Sequence, residues 1–268
     1  MSFGQDACVT QSLARRLLAE FLGTGLLIAV VVGSGIAAQQ LSPNEVGLQL
    51  LENSTATVFG LTVLILWFGP ISGAHFNPVV SLADWFLGRR TRTGLSLREV
   101  GLYSGAQILG GICGALLANA MFEVDTHLST KDRVTGGHLV GEIVATAGLV
   151  ALIFALVRSD RGAIAAPTVG AYIGAAYWFT SSTSFANPAV TIGRMFSDTF
   201  AGIAPSSTPA FIGMQLVGLI VGVGLTLALY PDAGTKADDV GLRRGMHTAQ
   251  NRQQLLATSS GGSCDPPV

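Results

Sequence analysis

The feature that most constrains the fold of this chain is a pattern that occurs twice, in the same order, in its two halves. Each copy has a Glu-x-x-x-Thr-x-x-Leu motif in one apolar stretch, an Asn-Pro dipeptide after a second stretch, and a glutamine in a third. The first copy comprises Glu20, Asn77-Pro78-Val79 and Gln107, and the second comprises Glu142, Asn187-Pro188-Ala189 and Gln215. The two halves are therefore structural repeats of each other.

Six stretches of the sequence are apolar and long enough to cross a membrane, which takes roughly 20 residues. They cover about 17–38, 49–69, 100–122, 138–158, 163–181 and 208–230. None has the polar stripe that a helix of a soluble protein shows on its outer face. Only 12% of the residues are charged, against about 25% in soluble domains. The sequence therefore predicts an all-α membrane protein with six transmembrane helices.

Because each half holds three spans, an odd number, the second half has to be inverted in the membrane relative to the first. Proline is well placed in the first turn of a helix, and asparagine is a good cap just before it. A single Asn-Pro is usually an ordinary turn, but two copies at matching places of an inverted repeat indicate a shared role. We expect two re-entrant half-helices that begin near the middle of the membrane, where irregular backbone survives beside a water-filled path.

The positive charges predict the orientation of the chain. With both termini in the cytoplasm, twelve Lys and Arg residues lie inside, and only Lys131, Arg133 and Arg194 lie outside. The twelve are Arg15, Arg16, Arg89, Arg90, Arg92, Arg98, Arg158, Arg161, Lys236, Arg243, Arg244 and Arg252. We expect a cytoplasmic N-terminal segment at 1–13 without a signal peptide, a channel domain at 14–230 with repeats at about 14–122 and 138–230, and a disordered cytoplasmic tail at 231–268.

Over about residues 14–230 the sequence resembles the major intrinsic protein family, the aquaporins and aquaglyceroporins. The family signature is a pair of Asn-Pro-Ala boxes, and the first box here has Val79 in place of alanine. The resemblance implies the aquaporin fold in the cell membrane, as a homotetramer with one pore per subunit. The net charge of −1 gives no indication of nucleic-acid binding, and we expect no cofactor, metal or catalytic residue.

The resemblance also implies roles for the repeated residues. Asn77 and Asn187 are expected to offer side-chain N–H groups to a passing solute. The buried polar residues are expected to be structural, and an altered contact is expected at Val79. Those residues are Glu20, Glu142, Gln107, Gln215 and His75, with the two glutamates bound to loop backbone because charge inside a membrane is costly.

Four positions correspond to the outer selectivity filter of the family, found by their spacing from the two asparagines. They are Thr57, Ala175, Ser184 and Val190. The family usually has arginine at the last position, and valine there predicts a wide ring without a cation. Arg194, one helical turn farther on, is expected to face solvent, although a role in restoring charge to the vestibule stays open. The charged residues of the connection around 123–133 are expected to form a solvated surface.

The ring and the sequence Phe-Ala-Asn-Pro-Ala-Val at 185–190 resemble bacterial aquaglyceroporins associated with arsenic-resistance genes. This implies a passive channel for glycerol-like polyols, arsenite, As(OH)3, related metalloids and water. Urea and hydrogen peroxide would also fit. The alternatives are a water-selective aquaporin, an ion- or proton-coupled transporter, and a structural protein with a closed pore. A transporter is disfavoured because no titratable pair lies near the boxes.

Overall fold

The structure is a computed structural model that describes residues 11–89 and 93–231, and this part of the chain consists of helices and connecting loops without β-strands. The eight α-helices are α1 Leu13–Leu41, α2 Val46–Ser72, α3 Pro78–Gly88, α4 Leu97–Met121, α5 Gly136–Arg158, α6 Ala165–Phe179, α7 Pro188–Gly193 and α8 Thr208–Leu229. Short 3₁₀ turns precede α6 at Gly162–Ile164 and follow α7 at Arg194–Phe196. The predicted all-α membrane fold is confirmed.

Five of these helices, α1, α2, α4, α5 and α8, are long and apolar enough to cross a membrane. The sixth predicted span, 163–181, is less regular than the sequence suggests. Its α-helix has only 15 residues, extended at its start by the 3₁₀ turn, and ends at Phe179. It ends there because Thr180 adopts an extended backbone conformation and the chain then turns toward the second half-helix.

The helix packing repeats the inversion of the sequence. α1 packs along α4, and the corresponding α5 packs along α8. Both contacts bring backbones close together at glycines: a Cβ on Gly114 would overlap the Gly25 carbonyl, and one on Gly222 would lie 2.7 Å from the Ala147 carbonyl oxygen. Small residues allow such close approach of membrane helices, which have no hydrophobic driving force between them.

The two half-helices, α3 and α7, begin at the prolines of the Asn-Pro boxes, as predicted. The Asn77 side-chain oxygen accepts from Val79 N at 2.9 Å, and the Asn187 side-chain oxygen accepts from Ala189 N at 2.9 Å. Each asparagine therefore caps the helix that its own box starts. α3 also packs on α8 and α7 on α4, and the two half-helices contact each other.

The predicted terminal segments fall mostly outside the described residues. Of the segment 1–13, only residues 11–13 are described, and of the tail 231–268 only residue 231. α1 begins at Leu13, capped by Ser12, whose side chain accepts from Arg15 N at 3.4 Å. The predicted domain boundaries and the disordered tail stay predictions.

Candidate functional site: the cavity between the half-helices

A cavity of about 90 Å³ runs past the N-termini of both half-helices, which is room for several water molecules. It is lined from α1, α2, α5 and α6 and from the two loops that precede the half-helices. Asn77 and Asn187 both line it. The positive ends of the α3 and α7 dipoles therefore lie at its centre, where they disfavour cations.

The two asparagines join the two loops across the cavity. Asn77 Nδ2 donates to the Ala186 carbonyl at 2.8 Å, and Asn187 Nδ2 donates to the Phe76 carbonyl at 2.7 Å. An amide nitrogen carries two hydrogens, so each asparagine retains a second N–H. The arrangement fixes both side chains and leaves one donor on each for a solute.

The loops have the same unusual backbone in both halves. The residues one and three positions before each asparagine have positive φ: Phe76 and Ala74 (49° and 49°) before Asn77, and Ala186 and Ser184 (48° and 51°) before Asn187. Left-handed conformations cost residues other than glycine roughly 1–2 kcal/mol each. Such strained loops need strong support from the surrounding structure.

The two glutamates supply this support and do not line the cavity. Glu20 accepts from His75 N at 3.0 Å and from Phe76 N at 2.7 Å. Glu142 accepts from Phe185 N and Ala186 N, both at 2.9 Å. Each glutamate thus satisfies two consecutive backbone donors of its loop.

The paired glutamines complete the same arrangement in each half. Gln107 Nε2 donates to Glu20 at 2.7 Å, and Gln215 Nε2 donates to Glu142 at 2.6 Å. All four side chains are fully buried. The repeated Glu and Gln of the sequence therefore form one interaction, made twice, that holds the pore loops.

His75 lines the cavity, whereas Val79 packs away from it. His75 is buried at the cavity wall, with Nδ1 3.1 Å from Ser81 Oγ and its ring 5.5 Å from the Tyr103 ring. Val79 is 1% exposed and lies in an apolar cluster with Phe154 of α5 and Val223 of α8. The extra bulk of valine is thus accommodated outside the cavity.

Three of the four predicted filter residues line the cavity, and one does not. Thr57, Ser184 and Val190 are buried at its wall, whereas Ala175 is exposed on the outer face of α6. Tyr177 occupies the wall instead, and its hydroxyl lies 3.3 Å from Thr57 Oγ1. Residues two apart on a helix differ by about 200° in direction, so spacing counted along the sequence selected the wrong face of α6.

Arg194 does not face solvent, contrary to the favoured expectation. It is 2% exposed and lines the same cavity as Val190. Its Nε donates to the Ala201 carbonyl, and its guanidinium carbon lies 3.6 Å from the centre of the Phe185 ring. The signal in the sequence was the spacing of four from Val190, which places both side chains on one helix face.

The connection between α4 and α5 exposes most of its charged residues, as predicted, and only Arg133 among them is partly buried. The connection also packs on the segment that follows α7. Ser129 N donates to the Met195 carbonyl and Ala204 N donates to the Lys131 carbonyl, both at 2.8 Å. Arg133 is half-buried and donates to the Gly202 carbonyl at 2.7 Å.

The charges of this connection add to the electrostatics of the outer end. Burial lowers the pKa of the Arg133 guanidinium to about 10, so it stays charged at neutral pH. Its guanidinium carbon lies 5.3 Å from the centre of the Phe185 ring, and the Arg194 guanidinium also packs on this ring. Burial, and then repulsion by these two arginines, lowers the pKa of Lys131. Arg133 and Arg194 therefore bring two positive charges to the end of the cavity at Phe185.

Comparison with known proteins agrees with this arrangement. The family model described as Major intrinsic protein matches residues 7–184. The chain is 47% identical over 214 residues to the protein named aquaglyceroporin AqpS of Rhizobium meliloti (strain 1021), covering 80% of this chain and 89% of that protein. It is 30% identical over 251 residues to the glycerol uptake facilitator protein of Escherichia coli (strain K12), covering 80% and 85%.

A solved structure shares the fold. The X-ray structure of the aquaglyceroporin from Plasmodium falciparum superposes with a TM-score of 0.52 at 21% sequence identity. The match covers 87% of this chain and 100% of that one. At this identity the likeness concerns the fold alone.

Proposed function

The chain belongs to the major intrinsic protein family, and on this premise we propose that its pore carries glycerol-like polyols and arsenite, As(OH)3, together with water. The protein is a multi-pass membrane channel and not an enzyme. Two relatives support the solute class by their names, an aquaglyceroporin and a glycerol uptake facilitator. A passive channel moves its solute down the gradient, so the same pore serves uptake or release.

The observation that carries this proposal is Val190 at the cavity wall, three residues after Asn187. An arginine at this position would fill space and donate several hydrogen bonds. Valine leaves the wall apolar and free of donors. The ring therefore accepts solutes wider than water.

The chemistry of the lining suits a neutral solute with hydroxyls on part of its surface. Leu61, Val169 and Ile173 provide apolar wall, while Asn77 and Asn187 provide donors. Ser184 adds a buried hydroxyl that has no hydrogen-bond partner among the described residues. Arsenite as a neutral trihydroxide resembles glycerol in size and in the display of its hydroxyls, so one lining serves both.

A second candidate, a water-selective pore, is favoured by Tyr177. Its ring takes the place that Ala175 was expected to hold, and its hydroxyl lies 3.3 Å from Thr57 Oγ1. A hydrogen bond between these two side chains narrows the ring. If the Tyr177 and Thr57 side chains move apart for solutes larger than water, the pore carries polyols and arsenite; if they do not, it is selective for water.

The test is stopped-flow light scattering of proteoliposomes against empty liposomes, with water, glycerol and arsenite gradients in turn, near neutral pH. The proposal expects all three solutes to cross faster in the presence of the protein. Faster flux of water alone favours the second candidate. Flux of none of the three overturns both.

We further propose that both termini are cytoplasmic and that the protein is a homotetramer in the cell membrane. Arg16 and Glu99 form a 2.8 Å ion pair between the starts of α1 and α4, at the end of the bundle that carries most of the arginines. The cavity is lined by a single chain, which suits one pore per subunit. Cross-linking in native membranes tests the tetramer, and labelling of terminal tags in sealed vesicles tests the orientation.

A further inference from the structure

Arg194 is the most unusual residue of the cavity wall, because it is a buried cation in a cavity whose ring lacks the expected arginine. The charge lies one helical turn, about 6 Å along the axis, beyond Val190. Within residues 11–89 and 93–231 no carboxylate lies within 4.0 Å of it. A buried charge without an ion-pair partner is costly, so the fold holds it there by other contacts.

Two contacts fix the guanidinium in place. Its Nε donates to the Ala201 carbonyl, and the flat face of the group lies over the Phe185 ring. Phe185 is in turn held by Glu142, which accepts from its backbone N–H, and by an edge contact with the Phe211 ring at 5.2 Å. The position of Arg194 is therefore tied to the same glutamate that supports the pore loop.

The rest of the guanidinium is available to the cavity. Arginine has five N–H donors, and only the one on Nε has a partner among the described residues. Neither terminal nitrogen is a buried atom without a partner, so both reach accessible space at the wall they line. The terminal nitrogens are thus available for interaction at the cavity wall.

The backbone explains why the side chain points inward. α7 is short and ends at Gly193, where a Cβ would lie 2.8 Å from the Gly111 carbonyl oxygen of α4. The chain then tightens into the 3₁₀ turn that starts at Arg194. Close packing of α7 on α4 leaves the face of Val190 and Arg194 directed at the cavity.

We propose that Arg194 is the residue that excludes cations from this pore. Cations are then rejected one helical turn outside the ring of Thr57, Ser184 and Val190, at which solutes are selected by size. The inference rests on the proposed function, since rejection of cations matters in a pore wide enough for polyols. Val190 leaves the ring wide, and Arg194 repels protons and metal ions before they reach it. Neutral solutes feel no such repulsion.

The test compares the wild type with Arg194→Gln and Arg194→Lys in proteoliposomes at matched protein density. Proton leak is followed with an internal pH-sensitive dye and potassium leak with an internal potassium-sensitive dye, and glycerol flux is measured in the same preparation of vesicles. Arg161→Gln is the control, because Arg161 is an exposed arginine at the opposite end of the bundle.

The proposal expects Arg194→Gln to raise cation leak by about tenfold or more while glycerol flux stays near the wild-type rate. Cation leak through Arg194→Lys, which keeps the charge, and through Arg161→Gln stays at the wild-type rate. An Arg194→Gln pore that passes glycerol without extra leak overturns the proposal.

If Arg194→Gln does not fold, Arg194→Lys decides. A lysine variant that passes glycerol and excludes cations supports a role for the charge, and one that passes glycerol but leaks overturns it. A wild type that carries no glycerol refutes the proposed function instead, and the leak comparison still decides the role of Arg194.

Discussion

At the scale of single residues, the two glutamates determine whether the pore loops keep their shape. Glu142 accepts from two consecutive backbone N–H groups and from Gln215. These bonds support the loop in which Ser184 and Ala186 have left-handed conformations. The shape of the cavity wall is thus supported by a side chain that does not line the cavity.

Glu142→Gln is expected to destabilise the fold by about 2–4 kcal/mol, because an amide presents N–H groups to donors that lose their acceptor. The melting temperature of the purified protein in detergent should fall by several degrees, and flux should fall with it. Glu123→Gln, in an exposed loop position, is the matched control. An unchanged melting temperature for Glu142→Gln would show that the carboxyl does not support the loop.

Tyr177, and not the expected Ala175, lines the cavity, and single substitutions test this difference. Tyr177→Ala removes a ring from the cavity wall and is expected to raise glycerol flux several-fold relative to water flux. Ala175→Phe adds a ring on the exposed face of α6 and should leave both fluxes unchanged. Stopped-flow flux of both variants checks this, and a block of the pore by Ala175→Phe would restore the position expected from sequence spacing.

At the scale of elements, close helix pairs carry the inverted repeat. Gly222→Ala on α8 places a Cβ 2.7 Å from the Ala147 carbonyl oxygen of α5, closer than van der Waals contact allows. Overpacking of this kind costs about 1–3 kcal/mol. Gly224→Ala, on the same helix with nothing within 4 Å, is expected to be neutral or stabilising. Thermal unfolding of the pair measures the difference, and equal melting temperatures would refute the close α5–α8 contact.

The outer connection is a second element with a testable role. Asp198 accepts from Thr130 N at 2.9 Å and from Ser129 Oγ at 3.2 Å. The Thr130 backbone bond is the main cause of a pKa below the usual value for Asp198, followed by the hydroxyl bonds and Lys131. A lowered pKa means that the contact stabilises above the unfolded pKa of about 3.9 and is lost as pH falls through the lower folded value.

Hydrogen exchange of residues 128–133 is therefore expected to show constant protection between about pH 5 and 8, after correction for the intrinsic rate. Asp198→Ala should speed this exchange several-fold, whereas Asp125→Ala, an exposed acid in the same connection, should not. Protection that is unaffected by Asp198→Ala would show that the carboxylate does not hold the connection in place.

At the scale of the whole molecule, the inverted repeat was predictable because the same residue types occur at corresponding positions in the two halves of the sequence. Glu20 and Glu142, with the two Asn-Pro boxes, specify the half-helices through capping and loop support. The length of α6 was not predictable, because it depends on the backbone turn that leads into the second half-helix.

The candidate site was predictable where it follows local geometry and not where it depends on packing. The caps at Asn77 and Asn187 are local and were expected. Which face of α6 meets the cavity depends on its packing against α2, so Tyr177 was missed. The inward direction of Arg194 follows from its spacing of four from Val190, which the sequence shows, and from the packing of Gly193 against α4, which it does not.

We propose that Val190 makes this pore a wide channel for neutral solutes, and Val190→Arg tests this role most directly. In stopped-flow measurements on proteoliposomes, glycerol and arsenite flux should fall by about tenfold or more while water flux is retained. Methionine is a long side chain like arginine but has no charge and no hydrogen-bond donor. The glycerol and arsenite flux of Val190→Met should therefore lie between those of the wild type and Val190→Arg. Retention of glycerol and arsenite flux by a folded Val190→Arg variant would show that Val190 does not determine the width of the pore.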